Sequence, residues 1–200
     1  MTQLTELLNQ STEMHKHLCP RQVLGVRMGL FAGKLLGLEV PQARKRLLTI
    51  METDGCGADG VSVATNCWVG RRTMRIEDYG KMAATFVDTR TETAVRVYPH
   101  PHCRDLAPNY APEAKNRWES YLIGYQIMPT EELLAFQVVQ LRQPVGEIIS
   151  KPNIRTLCNK CGEEIINQRE VVQNGLVLCK GCAGNAYYVV CDHQSVEFPL

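Results

Sequence analysis

Charge is the first thing this sequence lacks. Twenty-two Lys and Arg against twenty-one Asp and Glu leave a net +1 over 200 residues. No long-range field gathers nucleic acid, and any basic surface has to be local. A long apolar run is also missing: nothing approaches the roughly 18 uncharged residues of a membrane-spanning helix. The first residues, Met1-Thr-Gln-Leu-Thr-Glu6, hold no basic stretch followed by an apolar one, the mark of a secretory leader. Internal repeats and low-complexity tracts are absent too. The expectation is a cytoplasmic globular protein with no membrane contact, sized for one medium domain plus a small module.

What the sequence has is cysteine, nine in all. In a chain read as cytoplasmic, an odd cysteine count points to metal or thiol chemistry and not to a disulfide framework. Four of the nine, Cys158, Cys161, Cys179 and Cys182, are spaced C-x2-C-x17-C-x2-C. Each C-x2-C pair folds as a tight knuckle that turns both sulfurs to one ion, and four soft thiolates suit tetrahedral Zn²⁺. Between the knuckles, residues 169–173, a turn at Asn174-Gly175 and residues 176–178 read as a β-hairpin. The expectation is a zinc ribbon; two disulfides are the alternative reading of the same residues. All four positions around such a zinc are filled, so the ribbon supplies structure and no catalysis.

Upstream, the pattern predicts an α+β core over 1–145, helices packed on a mostly antiparallel sheet, then a linker over 146–154 and a ribbon with a closing strand over 155–200. Helices are expected over 3–18, 21–38 and 111–127. Strands are expected over 47–53, 73–78, 82–88, 93–98 and 136–141, with a final one at 186–190. Gly25, Gly29, Gly33 and Gly37 recur every fourth residue of the second helix. Each costs a helix roughly 0.8–1 kcal/mol relative to alanine, so a partner element should pack closely along that strip. Arg27 and Lys34 exclude a membrane setting for it.

A second group of ligand-type residues sits at His15-Lys-His-Leu-Cys-Pro20. On a continuous helix His15 and His17 would point about 200° apart, so they meet only if the backbone leaves the helix between them. Cys56, after Asp54-Gly55 and before Gly57, is the candidate to complete the site. A helix N-terminus there can lower its pKa, which suits a ligand or a reactive thiolate. Cys67 is a competing ligand or a buried structural cysteine. If one helix links it to Cys56, the two sulfurs stand about 16 Å apart. His100-Pro-His-Cys103 is a third cluster, and Cys191-Asp-His193 a fourth.

In this order the residues resemble the FmdE family, the E component of formylmethanofuran dehydrogenase. His15-Lys-His-Leu-Cys-Pro20 with Gly25-Val-Arg-Met-Gly29, Thr53-Asp-Gly-Cys56 with Asp59, then Cys67 and Asp78-Tyr-Gly-Lys81 carry the similarity over about residues 10–145. The segment 155–185 is similar to the zinc module attached to many members. Family members often have Gly where this chain has Lys16 and Arg21. The resemblance implies an α+β core whose His and Cys residues gather in a cleft, and commonly a homodimer. It does not imply oxidation of formylmethanofuran, since the molybdopterin and iron–sulfur machinery is absent from members of this family.

Three functions follow as expectations. One is a metal-binding accessory or small enzyme with a second transition metal on His15, His17, Cys19 and Cys56, beside the structural zinc. Asp54 or Asp59 would orient an imidazole or act as base, and Lys81 would neutralise an anionic ligand. Another is a thiol-redox protein cycling Cys19 and Cys56, the two candidate catalytic thiols. The last is an interaction protein whose ribbon docks a protein partner. Nucleic acid is disfavoured there, since Glu163, Glu164 and Glu170 dilute Arg155, Lys160, Arg169 and Lys180.

Overall fold

Helix 1 (α1, Gln3–His15) opens on Thr2, whose side chain accepts from Thr5 N–H, and stops at Lys16, which takes a left-handed φ of 68°. The computed structural model describes residues 2–190. It divides into two compact units, 1–146 and 147–200. In the first, α2 (Pro20–Leu36), β1 (Leu47–Met51), α3 (Cys56–Thr65), β2 (Met74–Ile76), β3 (Ala84–Asp88) and β4 (Ala94–Pro99) follow α1. Next come α4 (Cys103–Leu106), a 3-10 turn (Ala107–Tyr110), α5 (Arg117–Ile127), α6 (Thr130–Leu133) and β5 (Leu134–Val139), and the division between the units falls within the short α7 (Val145–Ile148).

The five strands form one sheet in the order β2-β1-β3-β4-β5. β1 runs parallel to β2, and every other pairing is antiparallel, so the class is α+β. The core lies between α2 and the sheet, with Val23, Val26, Met28, Ala32, Met51, Phe86 and Val97 all wholly buried.

The glycine strip meets its partner in α3. A Cβ on Gly25 would collide with the backbone of Gly57 and Val61, and one on Gly60 with the carbonyl of Gln22. Further along, a Cβ on Gly29 would sit 2.7 Å from the Ala64 Cβ. Contacts advance in the same sense along both helices, so α2 and α3 run parallel with their N-termini side by side. Gly33 packs on Val40 instead, and Gly37 is the left-handed cap that ends α2 at φ 62°.

The helix expected over 111–127 begins later, at Arg117, because Asn116 caps it by accepting from Glu119 N–H. Residues 103–110, given no element by the sequence pattern, form α4 and the 3-10 turn. In the second unit, β6 (Arg155–Leu157) pairs with β7 (Glu164–Ile166), and β8 (Val171–Gln173) with β9 (Leu176–Leu178). The second pair is the hairpin expected between the knuckles; the first, around Cys158 and Cys161, is an addition. Residues 186–190, expected as a closing strand, form no strand and are exposed. Among the described residues no helix is long and apolar enough to cross a membrane.

Candidate metal centres

The ribbon cysteines converge. Cys158, Cys161, Cys179 and Cys182 bring their sulfurs within 4.8 Å of one another. Cys161 and Cys179 stand 4.0 Å apart, against the edge of about 3.8 Å that a tetrahedron with 2.3 Å Zn–S bonds would have. The knuckles are tied by backbone. Gly162 N–H donates to Cys158 O, Cys179 N–H to Cys158 Sγ, and Cys182 N–H to Cys179 Sγ. Asn159 locks the first knuckle to β9, its N–H donating to Val177 O and its Oδ1 accepting from Val177 N–H. N–H groups of Cys161 and Cys179 pull the Cys158 thiol down to about 6. Cys179 and the crowded neighbouring sulfurs push Cys182 up to about 12. Four sulfurs this close resist sharing negative charge unless a cation stands among them, so the donor set fits zinc.

The core group is built where the parallel helices begin. Cys19 caps α2 and Cys56 is the first residue of α3, so the glycine seam sets the distance between the two thiols. Gln22 fixes the Cys19 turn: its Oε1 accepts from Cys19 N–H, and its Nε2 donates to Ser11 O and Oγ. The break at Lys16 swings His17 back beside His15, and the two rings lie 4.7 Å apart. His15 Nε2 faces Cys56 Sγ at 3.3 Å, while His15 Nδ1 meets Asp59 Oδ2 at 2.7 Å. An ionised carboxylate only accepts, so Asp59 holds the proton on Nδ1 and leaves the Nε2 lone pair toward Cys56. Asp59 is one turn into α3 from Cys56, which is why one helix supplies both.

Cys56 does not have the lowered pKa expected of it. Burial pushes its thiol up and Cys19 beside it adds to the rise, outweighing the backbone N–H and Arg21, which pull the other way. Asp54 stands exposed; of the two acids considered, it is Asp59 that meets the imidazole. His17 is exposed and Cys19 is buried. Among the described residues, only the ribbon cysteines gather three or more such donor atoms within 4.8 Å of one another. The core group is looser.

The other clusters disperse. Cys67 is buried at the far end of α3, its thiol donating to Leu47 O, so it is remote from Cys56 and packs as a core residue. Cys103 turns inward toward the Tyr125 hydroxyl, 4.0 Å away, while His102 stays exposed. Cys191 and His193 lie outside the described residues. Arg21, noted in the sequence only as a departure from glycine, lies near enough to Cys56 to act on its charge.

Residues 14–135 match the family model described as FmdE, Molybdenum formylmethanofuran dehydrogenase operon. The chain belongs to this family. Residues 153–188 of this FmdE-family chain also match the prokaryotic dksA/traR C4-type zinc finger, and the ribbon is a structural zinc site. A protein of Archaeoglobus fulgidus named "Probable S-adenosyl-L-methionine-binding protein" is 31% identical over 98% of the chain. The chain spans 57% of that protein's length. A crystal structure of a tungsten formylmethanofuran dehydrogenase FmdE-like protein from Syntrophus aciditrophicus has the same fold. It aligns at TM-score 0.59 and 21% identity over 93% of this chain and 95% of that one.

Proposed function

We propose that the core cleft binds one transition metal through His15 Nε2, Cys19 Sγ and Cys56 Sγ, with His17 as a further ligand and Asp59 as the group that orients His15. The observation that carries this is the relay Asp59–His15–Cys56, at 2.7 and 3.3 Å. A carboxylate that fixes the tautomer and orientation of an imidazole is the usual support of a metal-bound histidine, and here the free ring nitrogen faces a cysteine sulfur. Burial and Cys19 hold the proton on the Cys56 thiol, so a metal bound there would have to displace it. A mixed His/Cys set with an open position serves Lewis-acid chemistry or metal transfer.

In this reading the protein is an accessory to a molybdenum- or tungsten-type oxidoreductase or to one-carbon metabolism, as the family description suggests. It acts as a homodimer, and the ribbon offers a surface to a protein partner. From the Archaeoglobus fulgidus relative we carry over one further element, binding of a sulfonium nucleoside, as a property to test in this chain.

Metal content by mass spectrometry on protein purified without chelator tests the cleft. Two metals per chain are expected, falling to one in Cys56→Ser and in His17→Ala/Cys19→Ser. One zinc in all three proteins would sink the proposal. Cys19 beside Cys56 favours one second reading, a dithiol that forms a disulfide by exchange with an oxidised partner disulfide, which leaves as two thiols. A single metal together with that disulfide, found by peptide mapping, would favour it.

A further inference from the structure

Beside the cleft lies a groove that the metal reading does not use. It encloses about 540 Å³ between α1, α3 and β2, within the 300–1,000 Å³ of small-molecule sites. Four large apolar side chains open to solvent converge on it, one from α1 and three from the stretch that follows α3: Met14 (49% exposed), Trp68 (49%), Val69 (64%) and Ile76 (37%). Singly such residues need no explanation; gathered in one concavity, they mark a surface that something covers. The groove's ionisable residues are Asp54 and Asp59, with no lysine, arginine or histidine among them. Phosphates and other anions are therefore disfavoured there. Asp59 is occupied by His15, whereas Asp54 stands exposed next to Gly55 and Cys56. Ser62 Oγ reaches only the Met74 thioether at 3.8 Å, a weak acceptor, and so keeps hydrogen-bonding capacity for a ligand.

We infer that this groove binds a sulfonium nucleoside, with its ring on Trp68 and its positive centre at Asp54, beside the core cleft. An indole face attracts both a π-system and a cation, and a carboxylate at one end fixes which way the ligand lies. The inference rests on the cleft being a working site, for it places the charged end of the ligand next to Cys56 and His15. Asp59 belongs to both: it lines the groove and holds the imidazole, so a bound ligand and a bound metal would share one wall.

The test uses the full chain in its metal-bound form, carrying Trp118→Phe so that Trp68 is the sole indole reporter. S-adenosylmethionine, a sulfonium nucleoside, is titrated against S-adenosylhomocysteine, the thioether that lacks only the sulfonium methyl and its charge. The sulfonium probe should quench Trp68 and bind at least tenfold more tightly than the neutral one. Asp54→Asn should erase that difference, and Trp68→Ala, followed by calorimetry, should weaken both probes. Equal affinity for the two probes, no binding at millimolar concentration, or affinities indifferent to both substitutions would overturn the inference. Metal content is measured on the same samples. Intact core metal without probe binding would defeat the groove alone, whereas loss of both would defeat the cleft.

Discussion

At the scale of single residues, the core site depends on side chains that fix others. Asp59 touches His15 and not the proposed metal, and replacing it with Asn leaves shape unchanged while loosening control of the imidazole tautomer. Asp59→Asn is expected to weaken core metal affinity by about 10- to 100-fold, as losses of such supporting groups do, with the ribbon zinc unaffected. Competition against a chelating dye measures it; equal affinity in both proteins would remove Asp59 from that role. The sequence made much of this visible. His15, His17, Cys19 and Cys56 stand out by type, and the histidines could be seen to need a helix break. That Lys16 would supply the break in a left-handed conformation was not legible, because lysine rarely takes it. Trp68 gave no signal either. Met14, across the groove, lies far off in sequence, and only the fold brings the two together.

At the scale of elements, the α2–α3 seam makes the sharpest prediction. Gly25→Ala would drive a methyl into the Gly57 carbonyl, backbone that cannot turn aside. A loss of about 3 kcal/mol is expected, at the upper end of overpacking costs. Gly37→Ala meets no neighbour but keeps a left-handed φ of 62°, and should cost about 1 kcal/mol. Urea denaturation separates the two, and similar midpoints would count against the close seam. A second element-level tie joins the end of β3 to the approach to β1. Asp88, nearly buried, accepts from Arg46 Nε at 3.0 Å and Nη2 at 2.6 Å. That pairing holds its carboxyl below the ordinary 3.8. A depressed carboxyl stabilises the fold at pH above its unfolded value and loses that contribution as pH falls through the folded one. Wild type should therefore lose more stability than Asp88→Asn between pH 7 and pH 3, as read from urea midpoints; parallel losses would refute it. The five strands of the sheet lie close to where the sequence pattern puts them, whereas the one expected over 186–190 does not form. The start of α5 did not follow from that pattern, since Asn116 caps only once the chain before it has turned.

At the scale of the whole molecule, each of the two units has its own source of order. Unit 1–146 is held by the sheet and α2. The ribbon's described apolar core centres on Cys158, Ile165 and Leu178, too little without its zinc, which contributes on the order of 10–16 kcal/mol in comparable modules. Chelation should therefore open the amides of residues 155–185 to hydrogen exchange while β1, β3 and β4 stay protected. Protection retained in the ribbon after metal removal would contradict this. The ribbon was the most legible part of the chain, since knuckle spacing is local and metal chemistry permits few alternatives. The core was legible as a class, but its cleft depends on two helices meeting by their backbones.

That meeting has a consequence for anyone mapping the protein by random mutagenesis. Gly25 and Gly60 carry no functional group, touch no proposed ligand and lie within the core. Yet a methyl at either would splay the helices that carry Cys19 and Cys56. In a screen scored on core metal loading they would appear as essential as the thiols themselves, a false signature of active-site residues written by atoms that are not there.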